Sequence, residues 1–331
     1  MVVTYGNRKA LVEQVLQGIE KITAVEEVIL VVNGPSQSKP VPFDPTFRLK
    51  VQPIYLENNT GSAGGFAAGI EFFLNERKEE ELLLLDDDTV IDPASATEFF
   101  RSWAHSRSGN ELTAMNCFRR TKRAMRKIKS GEVDRKLFPQ RGEFLGVDVL
   151  NWKSTHPITV KDQGVYSVPM GPYGGLLLNR KTLERIGLPD RNFFLYLDDY
   201  DYTQRIVKAG GQLLLNTNVE MFDLDVNEMT ARASAIPLMK YVTGDALRVF
   251  FSVRNALVLS ANTWHTPMWR LNLNVMIVWL YLFFLCVIKL RPGRIKLITK
   301  AVKSGYLAAQ KTPDDKIAQE ILQEYLQAGL Q

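Results

Sequence analysis

The sequence predicts an α/β fold: a mostly parallel sheet flanked by helices, with a C-terminal helical extension. Three observations predict it. Short apolar runs alternate with segments of helical periodicity over about the first 118 residues, the pattern of successive βαβ units. Polar and acidic residues cluster where those runs end, at the carboxyl ends of the strands, which is where such sheets bind ligands. The 331 residues are 46% hydrophobic and 23% charged, close to the globular average. This excludes a disordered, collagen-like or disulfide-stapled chain. A mean hydropathy of −0.10 excludes a polytopic membrane protein, though not one anchoring segment.

The elements follow in order. Val2, Val3, Thr4 and Tyr5 form a short first strand. No basic stretch precedes it, so no secretory signal is expected. Residues 8–21 read as a helix, with Leu11, Val15, Ile19 and Ile22 at helical spacing. Val28–Val32 is a buried strand stopped by the turn Asn33-Gly34-Pro35. Leu49–Leu56 is a strand, 64–77 a helix, and Leu82–Leu85 a strand running straight into Asp86, Asp87 and Asp88. Val165–Pro169 and Leu176–Asn179 are further strands, Asp198–Ala209 a helix ended by Gly210-Gly211, and 237–263 a longer helix. The uninterrupted apolar run Val275–Ile288 is 14 residues, short of the ~20 a spanning helix needs. Residues 312–328 read as a terminal amphipathic helix. These elements divide into an α/β domain, 1–235, and a helical region, 236–331, whose apolar stretch 271–290 either associates with membrane or packs in a core or dimer.

The net charge of +5 is uneven. Arg119–Lys136 carries nine Lys/Arg against Glu132 and Asp134, and Lys289–Lys303 carries six with no acid. Such patches suit phosphates or an anionic membrane surface, or are solvated loops. The even balance elsewhere argues against nucleic acid as a partner. Two distant cysteines, Cys117 and Cys286, fit a reducing compartment, and three scattered histidines make a His-rich zinc site unexpected.

Three constellations carry chemistry. Three consecutive acids at the end of a buried strand repel one another, and a divalent cation with oxygen ligands, Mg²⁺ or Mn²⁺, offsets that repulsion. Asp86 and Asp88 share one side of an extended chain and can approach one ion together. A solvated acidic turn is the alternative. The stretch Asn58-Asn59-Thr60-Gly61-Ser62-Ala63-Gly64-Gly65-Phe66 lets backbone approach a ligand and opens a helix whose N-terminus favours an anion. A plain glycine-rich connection is the alternative. Finally, Asp198-Asp199-Tyr200-Asp201 opens a helix where the dipole favours carboxylates. That is either good capping or a general base facing the metal.

In this order the pieces resemble the family 2 glycosyltransferases of the GT-A fold, a Rossmann-like sheet flanked by helices. The likeness spans about residues 2–260, including Phe250-Phe251-Ser252-Val253-Arg254-Asn255. Gly-Ser-Ala-Gly-Gly-Phe and Asp-Asp-Asp look most like the galactofuranosyltransferase branch, which overlaps with rhamnosyltransferases. The resemblance implies roles. Thr4, Tyr5 and Arg8 line the nucleotide, with Asn33 near the base, and Asn59 and the glycines, Gly64 among them, lie along the diphosphate. Asp86 and Asp88 hold the metal. Tyr173 stands where relatives often carry a tryptophan sugar platform. Asp199 is the base and Asp198 holds acceptor hydroxyls. Relatives often complete the metal shell with a late histidine; here Asp223 stands in that stretch.

The implied reaction is inverting transfer of galactofuranose or rhamnose, from UDP-galactofuranose or dTDP-rhamnose, to a growing lipid-linked bacterial cell-surface glycan. The implied location is the cytoplasm, peripheral on the inner face of the cell membrane. The sequence leaves open whether the chain forms a homo-oligomer. Two other readings stand beside it. Leu-Leu-Leu-Leu-Asp-Asp-Asp-Thr-Val also resembles the first motif of haloacid-dehalogenase-like phosphatases, with Asp86 as nucleophile and Asp88 as acid/base. The missing histidine also suits a non-catalytic sugar-nucleotide-binding subunit.

Overall fold

The computed structural model describes residues 1–35, 48–119, 142–150, 159–162, 164–225, 236–263, 267–310 and 315–328. The chain forms two compact units. The first comprises Met1–Leu137, Thr155–Phe194 and Asp198–Asn227; the second, Phe138–Ser154, Leu195–Leu197 and Glu228–Gln331. The main division thus falls eight residues before the expected boundary at 235, and two earlier segments join the second unit. Side chains explain the second point: Asp148 pairs with Arg270 and bonds Asn274, and Asn255 bonds the carbonyls of Leu195 and Tyr196.

The first unit contains, in chain order, β1 (Val2–Thr4), α1 (Lys9–Glu20), β2 (Glu27–Asn33), β3 (Lys50–Leu56), α2 (Gly61–Glu76), β4 (Glu81–Asp86), β5 (Thr89–Ile91), α3 (Pro93–Arg107) and β6 (Thr113–Arg119). It continues with β7 (Thr159–Asp162), β8 (Val165–Ser167), β9 (Leu176–Asn179), α4 (Arg180–Ile186), a 3-10 turn (Arg191–Phe193), α5 (Asp198–Lys208) and β10 (Gln212–Asp223). The sheet order is β3-β2-β1-β4-β9-β6-β10-β8-β7, with β5 pairing β10. Strands β3, β2, β1, β4, β6 and β10 all run one way, and β9 lies antiparallel between β4 and β6. The expected mixed α/β sheet, largely parallel and flanked by helices, is therefore present.

Alternation along the strands decides which helix packs where. Val28, Leu30 and Val32 of β2 join Val12, Val15, Leu16 and Ile19 of α1 and Phe99 and Trp103 of α3 in one core. The intervening Val31, with Met1, meets α2 at Gly69. Asp92 caps α3 by accepting from the Ala94 amide, with proline at its first turn.

Helix α2 begins three residues before the expected start and absorbs the glycine-rich stretch. Gly61, Gly65 and Gly69 recur every four residues and face neighbours too close for a Cβ: Phe194 O, Val3 Cγ1 and Met1 Sδ respectively. The glycines here permit close packing. Strands β5, β6, β7 and β10 and helices α3 and α4 were not among the expected elements.

The second unit holds α6 (Met239–Thr243), α7 (Ala246–Thr263), α8 (Met268–Ile288), α9 (Pro292–Ala309) and α10 (Lys316–Ala328). The single helix expected over 237–263 is two, broken at Gly244. Helix α8 is 21 residues, long and apolar enough to cross a membrane by length and composition alone. Counting the apolar run from Val275 undercounted it, because Asn272 and Asn274 interrupt the run without interrupting the helix. Asn274 is buried and satisfied: it donates to Gly142 O at 2.6 Å and accepts from the Val149 amide at 3.1 Å. Leu271, Val275, Val278, Leu282 and Leu285 form the buried stripe of α8, while Trp269, Met276, Leu280, Phe284 and Ile288 are exposed.

Candidate active site

Because β1, β2, β4, β6 and β10 run parallel, their last residues share one edge of the sheet: Thr4, Asn33, Asp86, Arg119 and Asp223. The Asp triplet leaves β4 here and turns at once into β5. Pairing of β5 with β10 sets Thr89 opposite Asp223, and Leu224 donates its amide to Asp88 O at 2.6 Å. Backbone pairing therefore brings Asp88 and Asp223 together from 135 residues apart.

The three consecutive acids do different things. Asp87 is buried; it accepts from the Thr4 hydroxyl at 2.6 Å and pairs with Arg8 at 3.4 Å. Burial pushes its carboxyl up to about 6, against the pull of Thr4 and Arg8. The chain turns at Asp87 and Asp88, so the extended alternation expected for Asp86 and Asp88 does not hold, and Arg8 meets both Asp87 and Asp88. Asp86 and Asp88 both meet Arg119: its Nη1 donates to Asp86 Oδ2 at 3.2 Å, and its Nη2 lies 3.9 Å from Asp88 Oδ1. The Nε of Arg119 donates to Asp223 Oδ1 at 2.6 Å. Arg8 pairs with Asp88 at 3.1 Å and with Asp225 at 3.4 Å, and lies over the Tyr5 ring. Burial, then the neighbouring Asp86 charge, raises the Asp88 carboxyl; Arg8 and Arg119 oppose the shift.

The expected metal ligands are thus brought together, and their chemistry suits a hard divalent cation: three carboxylates from two chain segments, with Asp88 Oδ1 buried and lacking a hydrogen-bond partner. The point on which they converge is filled by the Arg119 guanidinium. Among the described residues no group of three or more His, Cys, Asp or Glu stands ready to hold a metal. The ligand set fits the ion only once Arg119 withdraws. The repulsion within the triplet is offset here by two arginines.

The expected diphosphate cradle is different from its sequence reading. Asn59 Oδ1 accepts from the Gly61 amide at 2.9 Å, and Phe194 O accepts from the Ala63 amide at 3.1 Å. These amides at the start of α2 are engaged by the protein itself. Gly64 is buried, with Thr60 where its Cβ would stand. Asn33 is buried too; its side chain accepts from Thr60 and donates to Gly61 O, tying β2 to α2. Asn33, Asn59 and Gly64 therefore build the helix start. Tyr5 remains exposed at the edge.

Tyr173 is also placed differently. It is 3% exposed, its ring stacked on Phe66 at 4.1 Å and tilted against Tyr202 at 5.9 Å. Its aromatic faces lie in the core, so it offers no open platform to a sugar. Aromatic identity was readable at that position; burial was not.

The acidic start of α5 holds an unequal pair. Asp198 is buried and accepts from the Ser62 hydroxyl at 2.8 Å. Burial, followed by the charge of adjacent Asp199, pushes its carboxyl well above the usual range. The charge of Asp86 adds to that shift, so the α5 start and the triplet share one field. Asp199 is partly exposed, and its Oδ1 accepts from the Tyr200 amide at 2.9 Å. Asp201 is committed to Arg205. Sequence reasoning missed Arg119, Ser62 and Asp225. Arg119 was visible only as the first member of a basic run whose other residues, Arg120–Lys136, lie outside those described.

A cavity of about 570 Å³ opens at the opposite, amino ends of the strands, beside Met1, Val28, Lys50 and Glu81. It is remote from these carboxylates along the strands.

No protein-family profile matches the chain, and no curated protein matches it. Solved structures similar to it include GalNAc-T7 with UDP, GalNAc and Mn²⁺, at 14% identity and a TM-score of 0.49. That match covers 67% of this chain, which spans only 43% of the other. Another is S. aureus TarS residues 1–349, at 12% identity and a TM-score of 0.47, covering 99% of this chain and 90% of that one.

Proposed function

We propose that this chain is an inverting glycosyltransferase of the GT-A fold. It moves galactofuranose from UDP-galactofuranose, or rhamnose from dTDP-rhamnose, to a growing lipid-linked bacterial cell-surface glycan. The observation that carries the reading is the unequal pair Asp198 and Asp199, set in the field of Asp86. Two adjacent carboxylates in unlike environments divide acid and base roles. Burial raises the Asp198 carboxyl well above the usual range, and in its protonated form it can donate to an acceptor hydroxyl. Accessible Asp199 takes the proton of the attacking hydroxyl as that oxygen bonds the anomeric carbon and the bond to the diphosphate breaks. One displacement inverts the centre. Asp86, Asp88 and Asp223 would hold Mn²⁺ or Mg²⁺, which when bound supplies positive charge to the departing diphosphate. Of Thr4, Tyr5 and Arg8 at the sheet edge, Tyr5 and Arg8 are left to meet the nucleotide, because Thr4 is buried with its hydroxyl on Asp87.

The phosphatase reading loses ground on position: three parallel strands, β1 to β3, precede the Asp triplet, and Asp86 is engaged by Arg119. A thermal-shift panel of UDP, dTDP and their sugars with Mn²⁺ tests the proposal. Stabilisation by UDP alone selects galactofuranose, and by dTDP alone rhamnose. Stabilisation by neither, with hydrolysis of an aryl phosphate, overturns it.

The same proposal places the enzyme in the cytoplasm, peripheral on the inner face of the cell membrane. Its support is the exposed stripe of α8, Trp269, Met276, Leu280, Phe284 and Ile288, followed by exposed Lys289, Arg291, Lys296 and Lys303. Aromatic and aliphatic side chains beside basic ones suit the interface of an anionic bilayer. Arg294 and Lys300 are not part of this surface, since Arg294 donates to Gly244 O and Lys300 pairs with Glu320.

A further inference from the structure

We infer that Arg119 and a divalent cation compete for Asp86, Asp88 and Asp223, so that Arg119 sets the metal affinity of the site. The inference rests on the metal assignment proposed above. Arg119 is the last residue of β6, its side chain is 11% exposed, and its backbone is fixed by pairing with Met221. Its guanidinium bonds Asp86 and Asp223 and leaves Asp88 Oδ1 at 3.9 Å, buried and without a hydrogen bond.

Geometry explains the shortfall. A guanidinium is a planar fork matched to one or two carboxylates, whereas a divalent ion takes oxygens from several directions at once. Arg119 has the advantage of being tethered; the ion has the advantage of charge and of engaging the third carboxylate. Among the described residues, Asp86, Asp87, Asp88, Asp223 and Asp225 of this edge pair with Arg8 and Arg119.

The test is Mn²⁺ binding to the full-length protein, without substrate, by calorimetry and by the paramagnetic resonance signal of free Mn²⁺. Arg119→Met removes the competitor and should bind Mn²⁺ at least ~10-fold tighter than wild type, a shift of one decade in Kd. Arg119→Lys keeps the charge but loses the fork and should fall between them; it serves as the readout if Arg119→Met does not fold. Variants binding no tighter than a wild type that does bind Mn²⁺ overturn this inference alone. If none of the three binds Mn²⁺ while wild type still binds UDP, the metal assignment fails and this inference with it.

Discussion

Ser62 in the first turn of α2 donates its hydroxyl to Asp198 Oδ2 at the first residue of α5, 136 positions later in the chain. That contact favours the charged carboxylate, yet burial and Asp199 outweigh it, and Asp198 holds its proton well above the usual carboxylate range. The sign of the stability effect follows. A folded-state pKa above the unfolded value means the fold prefers the protonated form. That stabilisation is complete below the ordinary range near ~4 and is lost as pH rises through the raised value. Asp198→Asn imitates the protonated form, so its stability should gain on wild type as pH rises from 4 to 8 in metal-free buffer. Urea denaturation at each pH measures this; a gap independent of pH would refute it.

Asp199→Asn should lower turnover at least ~10²-fold, the usual scale of a general base, while donor affinity stays near wild type. Single-turnover transfer together with equilibrium binding of the nucleoside diphosphate separates the two. Collapse of donor affinity with turnover per bound donor intact would move Asp199 into the donor site.

Arg254 is buried in the second unit, where its Nε reaches Ser304 Oγ at 3.1 Å and Asp315 Oδ2 at 2.9 Å, and its Nη1 reaches Asn255 at 2.7 Å. Removing one member of a buried pair strands the other. Arg254→Met should therefore cost about 3–5 kcal/mol in chemical denaturation, and adding Asp315→Asn should recover part of that loss. An unchanged midpoint would show the network to be dispensable.

The intact protein should co-sediment with anionic liposomes at low salt. Phe284→Asp with Ile288→Asp should abolish this without lowering the melting temperature, because both side chains are exposed. Equal sedimentation with neutral and anionic vesicles, or a double variant that binds as wild type does, would remove the basic and apolar face from the proposal.

Much of the sheet was legible because β1, β2, β4 and β9 are short apolar runs bounded by polar turns. Strand β10 was not: three consecutive polar residues, Asn216, Thr217 and Asn218, interrupt its aliphatic run, and Thr217 is satisfied by a long-range contact to Gly164 O. The glycine-rich stretch carried a readable sign of packing, the four-residue spacing of Gly61, Gly65 and Gly69, which outranks its likeness to a phosphate loop. Arg119 was not readable as a site residue. Nothing local marks which member of a basic run faces inward, since its partner Asp223 is 104 residues away.

Strand β10 breaks register with β6 between Asn216 and Glu220: Cys117 and Phe118, adjacent in β6, face residues four apart. Before the break its other edge carries β8; beyond it, β5. Side chains alternate faces along a strand, so the length of this irregular segment fixes which way Asp223 points. Gain or loss of one codon between Asn216 and Glu220 would reverse that direction while leaving every site residue still encoded. In the genetics of this chain, frame-preserving indels in these few positions should behave as null alleles, whereas the same indels in surface loops would pass unnoticed.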